Sequence, residues 1–301
     1  MQWFCYLALL VLVVGLVARI LRYARAPVHL RWELYPVAHE VDRPYGGSYY
    51  EEPDWWTKPR KTSLLGEVRV MFSEIFFHAA LWHHNRKMWV VSYPFHLGIY
   101  LVAVFLLLLV VGGVAQVEGL PVAPGNGWAA SLLYHLTVLT GVVGTVLAAL
   151  GGVGVLARRV GDPGLRACSA PSDYFNAGLI VLTALTWFLT WLFVDPSFGM
   201  AREFAGAVFT FSSPAGTHPA VLAEMALLGV FLMYLPFTHM THFVGKWFTY
   251  HTVRWDDRPN LGGAYEKDLA RMLNRPVGWS APHINRGTGT RTWAEVTGEV
   301  E

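Results

Sequence analysis

The chain has 301 residues, of which 54% are apolar and only 15% charged, with 13 tryptophans and 12 histidines. That composition, with a mean hydropathy of +0.37, excludes an ordinary water-soluble globule and points to the membrane. The 21 acidic and 23 basic side chains leave a formal charge of +2, too little for a basic field that grips nucleic acid. Two cysteines, Cys5 and Cys168, supply no covalent haem motif, no four-cysteine iron–sulfur set and no disulfide framework. Any redox cofactor must therefore hang on other side chains, and the histidines become the residues to follow.

A helix needs about 20 apolar residues to cross the roughly 30 Å hydrocarbon layer, because only a helix satisfies its own backbone there. Five stretches meet that length, at 3–21, 94–114, 129–156, 174–194 and 219–247. The breaks between them carry ordinary turn chemistry: GLPVAPGNG, GDPG, DPSFG and TFSSPAGTHP. The expected fold is all-α and integral to the membrane, a bundle of five spanning helices. The first span has no basic segment before it and no small-residue cleavage site, and Arg19, Arg22 and Arg25 follow at once. It reads as a retained helix rather than a signal peptide.

Eleven basic residues lie between Arg19 and Lys87, three between Arg158 and Arg166, and eight from Lys246 onward, which leaves only Arg202 on the other side. The positive-inside rule then puts the N-terminus outside and the C-terminus in the cytoplasm. This divides the chain into a first spanning helix (1–26), a cytoplasmic loop (27–90), a four-helix core (91–250) and a cytoplasmic tail (251–301). Within the loop, 62–84 has apolar residues at helical spacing, with Ser63, Glu67, Glu74 and His78 near one face. It is expected to lie along the membrane surface, either floating on the headgroups or covered by a partner.

Ligating residues inside spans are costly and usually have work to do. Four stand out: His96 at the start of the second span, His135 in the third, and His239 and His242 near the end of the fifth. His96 and His242 fall at similar depth on helices that could face each other, and two imidazoles across a bundle make a bis-histidine site for a b-type haem. The alternative for each is a hydrogen bond between helices. Zinc is less attractive, since no third and fourth ligand sits at that depth.

Three stretches resemble a known family: YPFHLGIYLV, GVGVLARRVGDPGLRACSAPSDYFNAGLIVLTAL and YLPFTHMTHFVGKW. They look like the membrane cytochromes b of the respiratory nitrate reductase gamma-subunit type, a group that includes the heterodisulfide reductase and DsrM membrane subunits. The carriers are the P-F-x-x-x-x-H pattern ending at His242 and the R-R-x-x-x-P-x-x-R linker closed by Asp173. The long first loop and the DYFN that opens the fourth span look closer to the heterodisulfide reductase and DsrM branch.

The resemblance implies that His96 and His242 are the iron ligands of a haem b nearer the cytoplasm, with His239 a neighbour, reaching a propionate. In the nitrate reductase pattern a second haem is held by two further histidines, but Leu106 and Glu224 stand in those places. An outer haem would then need His135 with His218. Otherwise His135, helped by Glu224, could take a proton at a quinol site near the outer face, or simply bond a neighbouring helix. The function implied is a multi-pass cytochrome b subunit in a prokaryotic cytoplasmic (inner) membrane, with one or two haems. It would exchange electrons between the menaquinone pool and a cytoplasmic iron–sulfur subunit of the heterodisulfide reductase or DsrK type. Further membrane and periplasmic subunits would complete the complex. The alternative is a haem-free membrane anchor or assembly subunit, whose histidines only cross-link helices.

Overall fold

The computed structural model describes residues 1–25, 58–59, 61, 63–214, 216–251, 266–279 and 291–298. Five helices in it are long and apolar enough to cross a membrane. They are α1 (Gln2–Arg25), α4 (Arg86–Val117), α5 (Trp128–Gly161), α7 (Pro171–Phe193), and α9 (Pro219–Tyr234) with the 3-10 turn Leu235–Phe237 that follows it. Shorter helices connect and extend them: α2 (Leu64–Phe77), α3 (Ala79–His84), α6 (Pro163–Ala167), α8 (Gly199–Phe209), α10 (His242–His251), α11 (Glu266–Leu273) and α12 (Trp293–Thr297). Among the described residues no strand forms, only an isolated bridge between Pro276 and Thr292 in the tail. Residues 26–57, the first part of the expected cytoplasmic loop, and most of the tail lie outside the described residues.

Local chemistry sets where the helices begin. Asn85 Oδ1 accepts the Met88 N–H at 3.1 Å and caps α4, so this helix starts well before the apolar run at 94 and carries Pro94 inside it. Asp162 accepts the Gly164 and Leu165 N–H groups at 3.0 and 3.3 Å, which turns the chain into α6 with Pro163 at its first position. Pro171 opens α7 in the same way.

Packing between α4 and α5 rests on small residues that let the backbones touch. A Cβ on Gly98 would strike the Ala148 backbone nitrogen, and one on Gly151 would strike the Phe95 backbone; this is close approach by small residues, the common solution where lipid supplies no hydrophobic drive between helices. Around this pair α7 lies on α5 and α9, α1 lies on α9, and α8 lies on α4. Buried Phe105, Leu109, Trp187, Phe198, Phe204 and Met225 fill the far half of the bundle.

Two features depart from the sequence expectations. The region between α7 and α9, read as a connection, holds α8, which is buried along Ala201, Arg202, Phe204, Gly206, Ala207 and Val208. Arg202, the lone basic residue at this end, is 2% exposed. Its Nε donates to Gln116 Oε1 at 3.1 Å and its Nη2 to the Ser197 carbonyl at 3.2 Å, which ties α8 to the end of α4. The helix expected at 62–84 is broken: His78 ends α2 and begins α3 in the left-handed region, with φ 50° and ψ 51°.

Candidate functional site

The fifth span is not one helix. After Tyr234 the chain makes a 3-10 turn, becomes extended at Thr238 (φ −115°, ψ 168°), makes a second 3-10 turn at His239–Thr241 and restarts as α10 at His242. Pro236 lacks an N–H and favours the break, but irregular backbone at membrane depth persists only where its freed groups find partners. Arg19 of α1 provides one set: its Nη1 donates to the Thr238 carbonyl at 2.6 Å and also bonds the Thr241 hydroxyl. Thr238 provides another, with Oγ1 donating to the Leu235 carbonyl at 3.0 Å and accepting the Met240 N–H at 3.2 Å.

Asp173 closes the other side of the break. Its Oδ1 meets His239 Nε2 at 3.0 Å, and its Oδ2 meets Arg159 Nη1 at 3.4 Å and the Ala170 N–H at 2.8 Å. Arg159 also donates to Ser169 Oγ at 2.7 Å. One carboxylate thus joins the end of α5, the start of α7 and the broken helix. The resemblance gave His239 to a propionate, whereas here its Nε2 is committed to Asp173. Asp173→Asn, which weakens the bond to His239, is expected to cost about 1 kcal/mol because His239 is half exposed; a lowered thermal midpoint with retained expression is the reading.

The break delivers His242 to His96. Their ring centres are 6.3 Å apart, with ring planes at 78°. His96 Nδ1 lies 2.8 Å from the Ser92 carbonyl one turn earlier, and His242 Nδ1 lies 3.3 Å from the His239 carbonyl. Carbonyl partners fix the proton on Nδ1 in each ring, leaving Nε2 the lone-pair nitrogen, the tautomer that metal-bound histidines use. Two metal–nitrogen bonds of about 2 Å, with half a ring on either side, also come to roughly 6 Å between ring centres. The donor set and its spacing therefore fit a bis-imidazole iron.

A third imidazole, not singled out as a ligand from sequence, belongs to this cluster. The His78 ring centre is 4.6 Å from that of His96 at 78°, and 6.2 Å from the Tyr93 ring. Its spacing of 18 residues from His96 is five turns of an unbroken helix, about 27 Å along the axis, which would keep the two rings far apart. The left-handed hinge brings them together, and a non-glycine residue at φ 50° is legible only in three dimensions.

The outer residues are separate. His135 is exposed on α5 with its ring against Tyr134, at 5.2 Å. His218 is exposed, and its Nδ1 accepts the Ala220 N–H at 3.2 Å to cap α9. Among the described residues the structure does not bring these two together. Leu106 instead lines a wholly apolar cavity of about 320 Å³ between α1, α4, α8 and α9. Glu224, 4% exposed, turns to α7, where Thr190 Oγ1 donates to its Oε1 at 3.0 Å; its Oε2 is buried without a hydrogen-bond partner.

No family model matches the chain. It is similar to the Hdr-like menaquinol oxidoreductase cytochrome b-like subunit of Archaeoglobus profundus. The two are 22% identical over 286 residues, which cover 85% of this chain and 82% of the relative. The likeness supports the Hdr-like branch of membrane cytochromes b.

Proposed function

We propose that this chain is the membrane cytochrome b subunit of a menaquinol oxidoreductase complex, multi-pass in a prokaryotic cytoplasmic membrane, with the N-terminus outside. It passes electrons from menaquinol to a cytoplasmic iron–sulfur subunit of the heterodisulfide reductase or DsrK type. The observation that carries this reading is the His96–His242 pair, whose ring centres are brought to 6.3 Å by a break in the fifth span, and the likeness to the Archaeoglobus subunit supports it. Haem b, when bound, supplies one-electron transfer. His96 and His242 would hold it, on α4 and at the start of α10, and the resemblance's second haem is given up. Leu106 lines an apolar pocket, Glu224 bonds Thr190, and His135 and His218 are both exposed, with no contact between them among the described residues.

Oxidation of a quinol releases protons as well as electrons, so the site needs an acceptor. Glu224 suits that role: one oxygen is steadied by Thr190, and the other is a buried oxygen with no hydrogen-bond partner. His135, exposed on α5, is the alternative acceptor, reached from the lipid side. Glu224→Gln keeps the shape and the Thr190 bond but cannot exchange a proton. Quinol oxidation is expected to fall about 100-fold at unchanged haem content; an unchanged rate would move the role to His135. A haem-free anchor or assembly subunit is the competing reading, in which the same edge-to-face pair is packing between helices. The visible spectrum of the purified protein separates the two.

A further inference from the structure

We propose that His78 is a positioning residue of the same pocket, holding the ring of His96 in its ligating orientation and shielding it from water. This rests on His96 being a haem ligand. His78 has φ 50° and ψ 51°, a region where side chains crowd the following carbonyl and where glycine or asparagine ordinarily serves. The chain nevertheless keeps an imidazole there, and strained positions that persist in a fold cluster at functional sites.

The hinge is also fastened with respect to α4. Trp89 Nε1 donates to the Phe77 carbonyl and Tyr100 Oη to the Ile75 carbonyl, each at 2.9 Å. These are carbonyls of the last turn of α2, which has no partners of its own for them. Trp89 and Tyr100 flank His96 along α4, so the two bonds set the hinge directly over that histidine. Three groups then confine the His96 ring. The Ser92 carbonyl holds Nδ1 at 2.8 Å, the Phe95 ring lies 5.4 Å away at 84°, and the His78 ring lies 4.6 Å away at 78°. The first of these fixes the tautomer; the edge-to-face contact with His78 limits rotation of the ring about its bond to the chain. Ligand orientation and burial are among the levers by which a protein sets a haem's potential and spectrum.

The test uses the full complex in its membrane or in detergent, with His78→Gly and His78→Asn. Both residues accept the left-handed conformation, so the hinge survives while the ring is lost. The readouts are haem content, midpoint potential, the g values of the low-spin ferric haem and the thermal midpoint. The expected result is full haem content and an unchanged or higher thermal midpoint, with a lowered midpoint potential and displaced g values, because water reaching the site favours the more charged ferric form. Wild-type potential and g values in either variant would overturn the proposal and leave His78 a hinge residue. Complete loss of haem from both variants at an unchanged thermal midpoint would also overturn it, by making His78 a ligand itself. A wild-type complex without haem would overturn the functional reading and this proposal together, whereas the first two outcomes leave that reading intact.

Discussion

Replacing His96 and His242 by alanine is expected to remove the low-spin haem b spectrum from purified protein, with haem content falling by an order of magnitude or more. Each imidazole has its Nδ1 on a backbone carbonyl, at 2.8 Å for His96 and 3.3 Å for His242, so its orientation is set before any metal arrives. Alanine removes the only nitrogen that side chain could offer, and no group of three or more histidine, cysteine or acidic side chains among the described residues forms a metal site that could take over. Each single variant should lose the six-coordinate spectrum as well, since a bis-histidine iron cannot keep it with one ligand. His83→Ala and His84→Ala serve as controls: both residues are exposed on α3 and their loss should leave the spectrum unchanged. Redox difference spectra of equal amounts of protein make the comparison, and full retention of the spectrum in the double variant would exclude this pair as ligands.

The second large effect lies in the α4–α5 contact that carries His96. At Gly98 a Cβ would meet the Ala148 backbone nitrogen, with Ala148 Cα and the Gly144 carbonyl oxygen both at 2.8 Å. These are backbone atoms that cannot swing aside, so Gly98→Leu has to push the helices apart. Overpacking a rigid contact costs about 3 kcal/mol or more, and here it displaces the turn that bears His96. A large drop in thermal midpoint together with reduced haem content is expected. Gly178→Ala provides the contrast. Nothing lies within 4 Å of a Cβ there, and alanine is the better helix former by up to about 1 kcal/mol, so the thermal midpoint should hold or rise. Equal behaviour of the two variants would mean that α4 and α5 do not meet through their glycines.

Much of this architecture was legible in the sequence because membrane spans announce themselves by length and apolarity. Four of the five candidate spans match single helices and the fifth does so only to Phe237, while α4 begins at Arg86 because of the Asn85 cap and not where the apolar run starts. The break in the fifth span was not legible, and the reason is instructive. Tyr-Pro-Phe at 93–95 and Leu-Pro-Phe at 235–237 are nearly the same signal, yet Pro94 sits inside a continuous helix and Pro236 opens a break. What separates them is the surroundings: Arg19 and Asp173 supply partners around the second. Partners more than 60 positions away along the chain leave no local trace. The helix α8 was missed for a different reason, since eleven residues bounded by Phe198 and Thr210 are too few to register as a span.

The site was half legible. Matched depth on facing helices was enough to pair His96 with His242. His78 was visible only as one polar residue on an amphipathic face, because its role comes from a left-handed turn that the pattern 62–84 reads through as helix. His239 was assigned by family resemblance to a haem propionate; its bond to Asp173 could have been suspected from the acidic residue that closes the arginine linker. His135 on α5 and His218 at the start of α9 stand on two helices that both pack against α7, and among the described residues no ring contact or hydrogen bond joins them.

The central claim is that this chain carries a single b-type haem between His96 and His242. The most direct test is the haem-to-protein ratio of the purified chain by pyridine haemochrome, measured on wild type and on His135→Ala. One haem b per chain is expected in both proteins. A wild-type chain without haem b would contradict it outright, and two haems per chain with one lost in the His135 variant would contradict the single site.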